Sequence, residues 1–209
     1  MKPYIVAITG ASGVVYGARL VQHLLSGGHR VALVISEAAR MVIREELQLT
    51  LKSFTRQEDL TPLIGTEGSE RLELFSPKDF TAPIASGSYP VEGMVIIPCS
   101  MGTLGAVASG VSGNLIHRAA DCVLKEGKRL VLVPRETPLN AIHLENMLKL
   151  SKAGVRIVPA MPGFYSGAQS LEEMVDFMVG KVLDQCGIEH MLYARWVGLK
   201  NQKPFEVRK

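Results

Sequence analysis

Short, almost unbroken apolar runs alternate with longer amphipathic ones along this chain, and that alternation decides what it can fold into. "YIVAIT" (4–9), "RVALVIS" (30–36), "GMVIIPC" (93–99), "RLVLVP" (129–134) and "VRIVPA" (155–160) are too short for helices. They are also too uniformly apolar for strands with one face in water, so each reads as a strand covered on both faces. Between them, helical text runs from about Val14 to Leu25, where "SGGH" stops it. Further helices are predicted over "EAARMVIREEL", from about 103 to 125, over "LNAIHLENMLKLSKAG" and from 170 to 186. Strand–helix alternation of this kind predicts an α/β fold, a mostly parallel doubly wound sheet with helices on both faces. Residues 48–90 are less regular, with one short strand at "RLELF". They form either a long functional excursion or a poorly patterned helix and edge strand.

A chain of 209 residues, 47% hydrophobic and with no linker, is expected to form one domain over 1–197. A polar, peripheral tail occupies 198–209. The net charge of +3, with no long basic tract, argues against nucleic acid and for an anionic small ligand. Cys99, Cys122 and Cys186 are widely spaced and read as small buried hydrophobes in a reducing compartment. Glycines and a serine break the apolar start, and no 18-residue apolar segment exists, so a cytoplasmic protein off the membrane is expected. The five histidines have no metal-ligand spacing; His117 and His143 read as helical surface or core.

In such sheets ligands bind outside the carboxyl ends of the strands. The predicted strands run, in order, into "TGASG", "SE", "PCSMGT", "PRETP" and "MPGFYSG", whereas the opposite edge carries the plain turns "SGGHR" and "KEGKR". "TGASG" puts Gly10 and Gly13 around Ala11 and Ser12 where a helix begins, a place whose amides favour a phosphate. It is not GxGxxG, and Glu37 comes late for a ribose-binding acid, so the dinucleotide signal is weak. "PCSMGT" repeats the arrangement with hydroxyls at Ser100 and Thr103. In "VPRETP", Arg135 and Glu136 stand between two prolines at a strand end, either as an ion pair or as paired catalytic groups.

The motifs "TGASG", "ISEAA", "PCSMGTL", "RAADCVLKE", "LVLVPRETP", "HLENMLKL", "PGFY" and "ARW" together resemble those of UbiX-type flavin prenyltransferases, almost end to end. The resemblance implies a Rossmann-like, flavodoxin-related fold and a homo-oligomer, a dodecamer with sites between subunits. It also implies transfer of a dimethylallyl group from dimethylallyl phosphate to N5 and C6 of reduced FMN, and delivery of the prenylated FMN to a UbiD-type decarboxylase. Carried over by position, Gly10, Ala11, Ser12, Gly13, Ser36, Ser100, Met101, Gly102, Thr103 and Arg135 match flavin contacts. Lys125, Arg135, Glu136, Tyr165 and Lys181 match the surroundings of the prenyl phosphate, and Trp196 an aromatic near the prenyl chain. Glu46, rather than Glu45, aligns with a functional acid. The catalytic set implied is Ser12, Glu46, Lys125, Glu136 and Trp196. Lys181 stands where bacterial relatives often have arginine, which keeps the charge and loses the two-pronged grip. Phe80 stands where a tryptophan can occur.

The chemistry agrees with these residue types. Breaking a carbon–oxygen bond to phosphate builds negative charge that Lys125, Arg135 and Lys181 can stabilise, and an allylic cation that Tyr165 and Trp196 can face. Glu136 can exchange a proton at the phosphate, while Glu46 and Ser12 can do so around the flavin. A monophosphate needs less charge compensation than a diphosphate, in keeping with a sequence that has no aspartate-rich metal motif. Three other readings compete. Cysteine decarboxylases of related fold carry a mid-chain histidine and an asparagine loop, but residues 47–98 lack histidine and "PCSMGTL" lacks asparagine. A non-catalytic flavin carrier would not need Lys125, Glu136 and Tyr165. An NAD-dependent oxidoreductase would need the missing GxGxxG.

Overall fold

A computed structural model describes residues 1–49, 56–196 and 198. Six strands, β1 (Tyr4–Ile8), β2 (Val31–Ile35), β3 (Leu72–Phe75), β4 (Gly93–Cys99), β5 (Arg129–Pro134) and β6 (Arg156–Ile157), form one sheet in the order β3-β2-β1-β4-β5-β6. Every pairing is parallel. From β1 in the middle the chain winds outward to β3, then crosses to β4 on the other side of β1 and winds outward to β6. The winding reverses between β1 and β4, which is where an open α/β sheet leaves a crevice. Among the elements packed on the sheet are the helices α1 (Val14–Ser26), α2 (Glu37–Leu47), the single turn α3 (Thr61–Ile64), α4 (Met101–Ala108), α5 (Leu115–Lys125), α6 (Ala141–Lys152) and α7 (Leu171–Cys186).

The two-residue period of the strands divides the core. Val6, Ile8, Val95, Ile97, Val131 and Val133 face a cluster that includes α1 and α7. Ile5, Ala7, Met94, Ile96, Leu130 and Leu132 face another, built with α4 and α5. Burying each of the Val, Ile, Leu and Met side chains contributes about 1.5–3 kcal/mol, which is what holds apolar strands on both faces. Close approach has one strict requirement. A Cβ on Gly17 would lie 2.4 Å from the Ile97 carbonyl, so only glycine lets α1 settle onto the β1–β4 crevice.

Two sequence expectations are revised. The helical text from 103 to 125 is two helices, because "SGVSGN" puts Gly110 at φ 68 and gives α5 its own cap at Asn114, which accepts from the His117 amide at 3.0 Å. The predicted strand 155–160 pairs as a ladder only over Arg156–Ile157, although the amides of Val158 and Ala160 still donate to Leu132 and Pro134. Within 48–90, residues 50–55 lie outside the described residues. The part after β3 is clipped to α5, where the Ala85 carbonyl accepts from Arg118 Nε at 3.0 Å. Of the tail 198–209, only Gly198 is among the described residues. None of the described helices is long and apolar enough to cross a membrane.

Candidate functional site

The crevice is tied shut at its base by Thr9, which is 1% exposed. Its hydroxyl donates to the Pro98 carbonyl at 2.8 Å and accepts from the Ser100 amide at 2.8 Å. One side chain at the end of β1 thereby fixes the loop after β4. Ser100 then caps α4: its Oγ accepts from the Thr103 amide at 3.3 Å and meets Thr103 Oγ1 at 3.1 Å. Ser36 caps α2 in the same way, accepting from the Ala39 amide at 3.1 Å. In the first turn of α4, Met101 and Gly102 are left with amides that have no intrahelical acceptor. A Cβ on Gly102 would meet nothing within 4 Å among the described residues, so the space over this turn is clear.

The start of α1 is different. Gly13 caps it at φ 95, a backbone that favours glycine, with no side-chain cap of its own. The Glu46 carboxylate reaches over from α2 and accepts from the Gly13 amide at 3.1 and 2.9 Å and from the Val14 amide at 3.2 Å. The amides expected to favour a phosphate beside Ser12 are therefore held by an internal anion, and Ser12 itself is exposed. Gly10 is required by packing, since its Cβ would lie 2.4 Å from that of Ala38.

Arg135 leaves β5 with its amide donating to the Cys99 carbonyl at 3.3 Å, which sets it against the β4 loop. Its Nε is buried and has no hydrogen-bond partner among the described residues. A buried guanidinium N–H without an acceptor costs free energy unless an anion answers it. No ion pair joins Arg135 to Glu136 among the described residues. Glu136 is exposed and accepts from the Thr137 amide at 3.0 Å. Tyr16, on the first turn of α1, lies within electrostatic reach of both Arg135 and Glu46; burial raises its pKa, Arg135 opposes that and Glu46 adds to it.

A second group of side chains gathers beyond β6. Tyr165 stands edge-on to Phe177 at 5.6 Å between ring centres and to Trp196 at 6.1 Å. Lys181 Nζ lies 5.4 Å from the Phe177 ring centre and 4.9 Å from that of Tyr193. Burial pulls the Lys181 ammonium down, but the hydroxyls of Tyr193 and Tyr165 outweigh it and its pKa is raised, so it stays charged. A groove of about 670 Å3 opens here, with Met161, Gly163, Tyr165 and Lys181 in its wall.

Lys125 belongs to neither group. α5 ends where β5 is about to begin, so Lys125 sits at the amino edge of the sheet, paired with Glu126 at 2.7 Å. The length of β5, six residues, separates it from Arg135 by roughly 17–20 Å. Phe80 is exposed on the connection after β3. Sequence reading missed Thr9, although a hydroxyl inside an otherwise apolar strand end is a visible signal, and it missed Tyr16. His143, expected to be surface or core, completes the cap of α6 with Asn140. Among the described residues no group of three or more His, Cys, Asp or Glu could hold a metal ion.

Residues 1–183 match the family model described as Flavoprotein. The flavin prenyltransferase UbiX of Halalkalibacterium halodurans is 56% identical over 193 residues, 92% of each chain. A crystal structure of AnUbiX (PadA1) in complex with FMN and dimethylallyl pyrophosphate superposes with a TM-score of 0.83 at 37% identity, covering 95% of this chain and 99% of that one. A dodecameric FMN-dependent UbiX-like decarboxylase from Escherichia coli O157:H7 gives 0.82 at 42% identity, covering 95% and 100%.

Proposed function

Because this chain belongs to the Flavoprotein family, among its flavin prenyltransferases, we propose that it transfers a dimethylallyl group from dimethylallyl phosphate to N5 and C6 of reduced FMN. The observation that carries this reading is the unanswered Nε of Arg135, buried beside the clear first turn of α4. Together they form an anion site at the crevice where the fold places ligands.

Ser36, Ser100 to Thr103 and Arg135 hold FMN, with Gly10, Ala11, Ser12 and Gly13 at its edge. The internal cap by Glu46 directs the flavin's phosphate to the α4 turn rather than to the α1 turn. When bound, reduced FMN supplies the nucleophilic N5 and C6. Lys181 and Arg135 stabilise the charge that grows on the leaving phosphate, and Glu136 exchanges a proton with it. Tyr165 and Trp196 turn ring faces to the allylic carbon and keep water from it. Glu46 and Ser12, at the mouth of the α1 turn, move protons around the flavin.

Lys125 is too far along the sheet to join Arg135 in one chain, so a neighbouring copy supplies it. Leu144 and Leu148, exposed and four residues apart on one face of α6, provide surface for that contact. The assembly is a homo-oligomer, a dodecamer as in the Escherichia coli relative. The product passes to a UbiD-type decarboxylase. Three free, buried cysteines suit a reducing cytoplasm.

The test is a mass spectrum of the flavin after anaerobic incubation with reduced FMN and dimethylallyl phosphate. A gain of one C5 unit is expected. Unchanged FMN, bound tightly, would instead make the chain a flavin carrier.

A further inference from the structure

We propose that Asp184 is a positioning residue for prenyl transfer: it fastens the chain's return over α7 and so sets Trp196 beside Tyr165 and Lys181. The functional meaning rests on the reading of those three residues as the prenyl-binding face. The geometry of the return does not depend on it.

α7 runs from the ligand rim to the amino edge of the sheet, where Arg129 at the start of β5 donates to the Cys186 carbonyl. Gly187 ends the helix at φ 72, and the Ile188 amide donates back to Leu183 at 3.0 Å. This closure reverses the chain. Residues 188–196 then travel back along α7 toward the rim. Phe177, Gly180 and Asp184 are spaced three and four residues apart and so share one helix face. His190, Tyr193 and Trp196 come back at threes above them.

Gly180 is the seat. A Cβ there would lie 2.6 Å from the Tyr193 ring and 2.7 Å from the His190 ring. Asp184 is the fastening, since its carboxylate receives three donors from the returning segment. The Tyr193 hydroxyl donates to Oδ2, Arg195 to Oδ1 at 2.8 Å, and His190 Nε2 meets Oδ1 at 3.2 Å. His190 Nδ1 accepts from the Leu192 amide at 3.2 Å, so the ring proton is on Nε2 and faces the carboxylate. Burial raises the Asp184 pKa, and these donors outweigh it, leaving the group below the ordinary carboxylate range. An ionised carboxylate accepts all three bonds. Asparagine would keep an oxygen for His190 and Arg195 but lose the charge, and its NH2 would turn to the Tyr193 hydroxyl, which would then have to accept rather than donate.

Trp196 is the chain's single tryptophan, so its fluorescence reports the far end of this return. In Asp184→Ala, the emission of Trp196 is expected to shift to the red and acrylamide to quench it more readily. FMN affinity and far-UV circular dichroism should stay at parental values. KM for dimethylallyl phosphate should rise roughly tenfold, the loss of about one charge-assisted hydrogen bond's worth of positioning. Asp184→Glu should recover much of both effects, and Tyr193→Phe, which keeps the seated ring and removes one of three donors, should show a smaller version of each. Parental emission and quenching in Asp184→Ala overturn the inference, as does a Tyr193→Phe chain that matches the parent in both readouts should Asp184→Ala not fold. If the parent transfers no prenyl group while Trp196 still shifts in Asp184→Ala, the positioning of the return stands and the prenyltransferase reading falls.

Discussion

The two halves of the site are built by different means. Around the β1–β4 crevice, the side proposed for the flavin, short side chains and one carboxylate fix backbone at strand ends and helix starts: Thr9 locks two strand ends together, Ser36 and Ser100 cap helices, and Glu46 closes the α1 turn. Beyond β6 the groups proposed for the prenyl donor are the long side chains of Tyr165, Lys181 and Trp196, held by ring contacts and by a segment that returns from the chain's end. Trp196 remains 51% exposed and Tyr165 48%. A site made of strand ends and helix caps stands ready before its ligand arrives, at the cost of little side-chain entropy. One made of long side chains must order them, and that cost falls when a fastening such as Asp184 has already placed them. The flavin half should therefore be the robust one and the prenyl half the tunable one.

The sharpest way to break this contrast is at Glu136, which follows Arg135 just past the end of β5. Glu136→Gln keeps the shape and an acceptor for the Thr137 amide but gives up the proton. Single-turnover prenyl transfer should slow by roughly 100- to 10,000-fold with FMN affinity unchanged. A parental rate would remove Glu136 from the chemistry.

Thr9→Val tests the other half. The shape is kept, but the Ser100 amide loses its acceptor at the base of the crevice. Stability should fall by about 1–3 kcal/mol, read from denaturant unfolding, and FMN should bind more weakly while Thr9→Ser stays close to the parent. A Val variant with unchanged FMN affinity would mean that the β4 loop holds its place without this tie.

Acid should act on the scaffold beneath both halves. Burial and then the Arg19 charge lower the His23 pKa, with Asp176 opposing, and burial lowers that of His117. A depressed folded pKa means that the unfolded chain takes up the proton first. The contribution is thus complete above the ordinary histidine value of about 6.5 and is lost as pH falls below it. The melting temperature should drop from about pH 6.5 downward, and His23→Gln should flatten that slope. A parental slope in His23→Gln would clear His23 of the effect.

Much of the crevice's framework was legible in the sequence because its parts are local. A strand end leading through Gly, Ser or Thr into a helix is written in consecutive residues, and "TGASG", "ISEAA" and "PCSMGT" fell where expected. What the letters could not show were partnerships across the fold. Glu46 caps an α1 turn more than thirty residues earlier, and Thr9 answers an amide at Ser100. The placement of Trp196 depends on Gly187 turning the chain and on Gly180 leaving room, neither of which carries a periodic signal. Lys125 matched a phosphate ligand by motif, yet topology puts it at the far edge of its own sheet. A single sequence says nothing about which copy a side chain serves.

That two separately built halves serve two ligands is tested most directly by titrating both ligands into Lys181→Met. Methionine keeps most of the apolar stem between Phe177 and Tyr193 and removes the charge. Dimethylallyl phosphate should bind roughly ten- to a hundredfold more weakly, the worth of about one hydrogen bond to a charged group, and FMN should bind as to the parent. Equal affinities for dimethylallyl phosphate in parent and variant, or a matching loss for FMN, would contradict it.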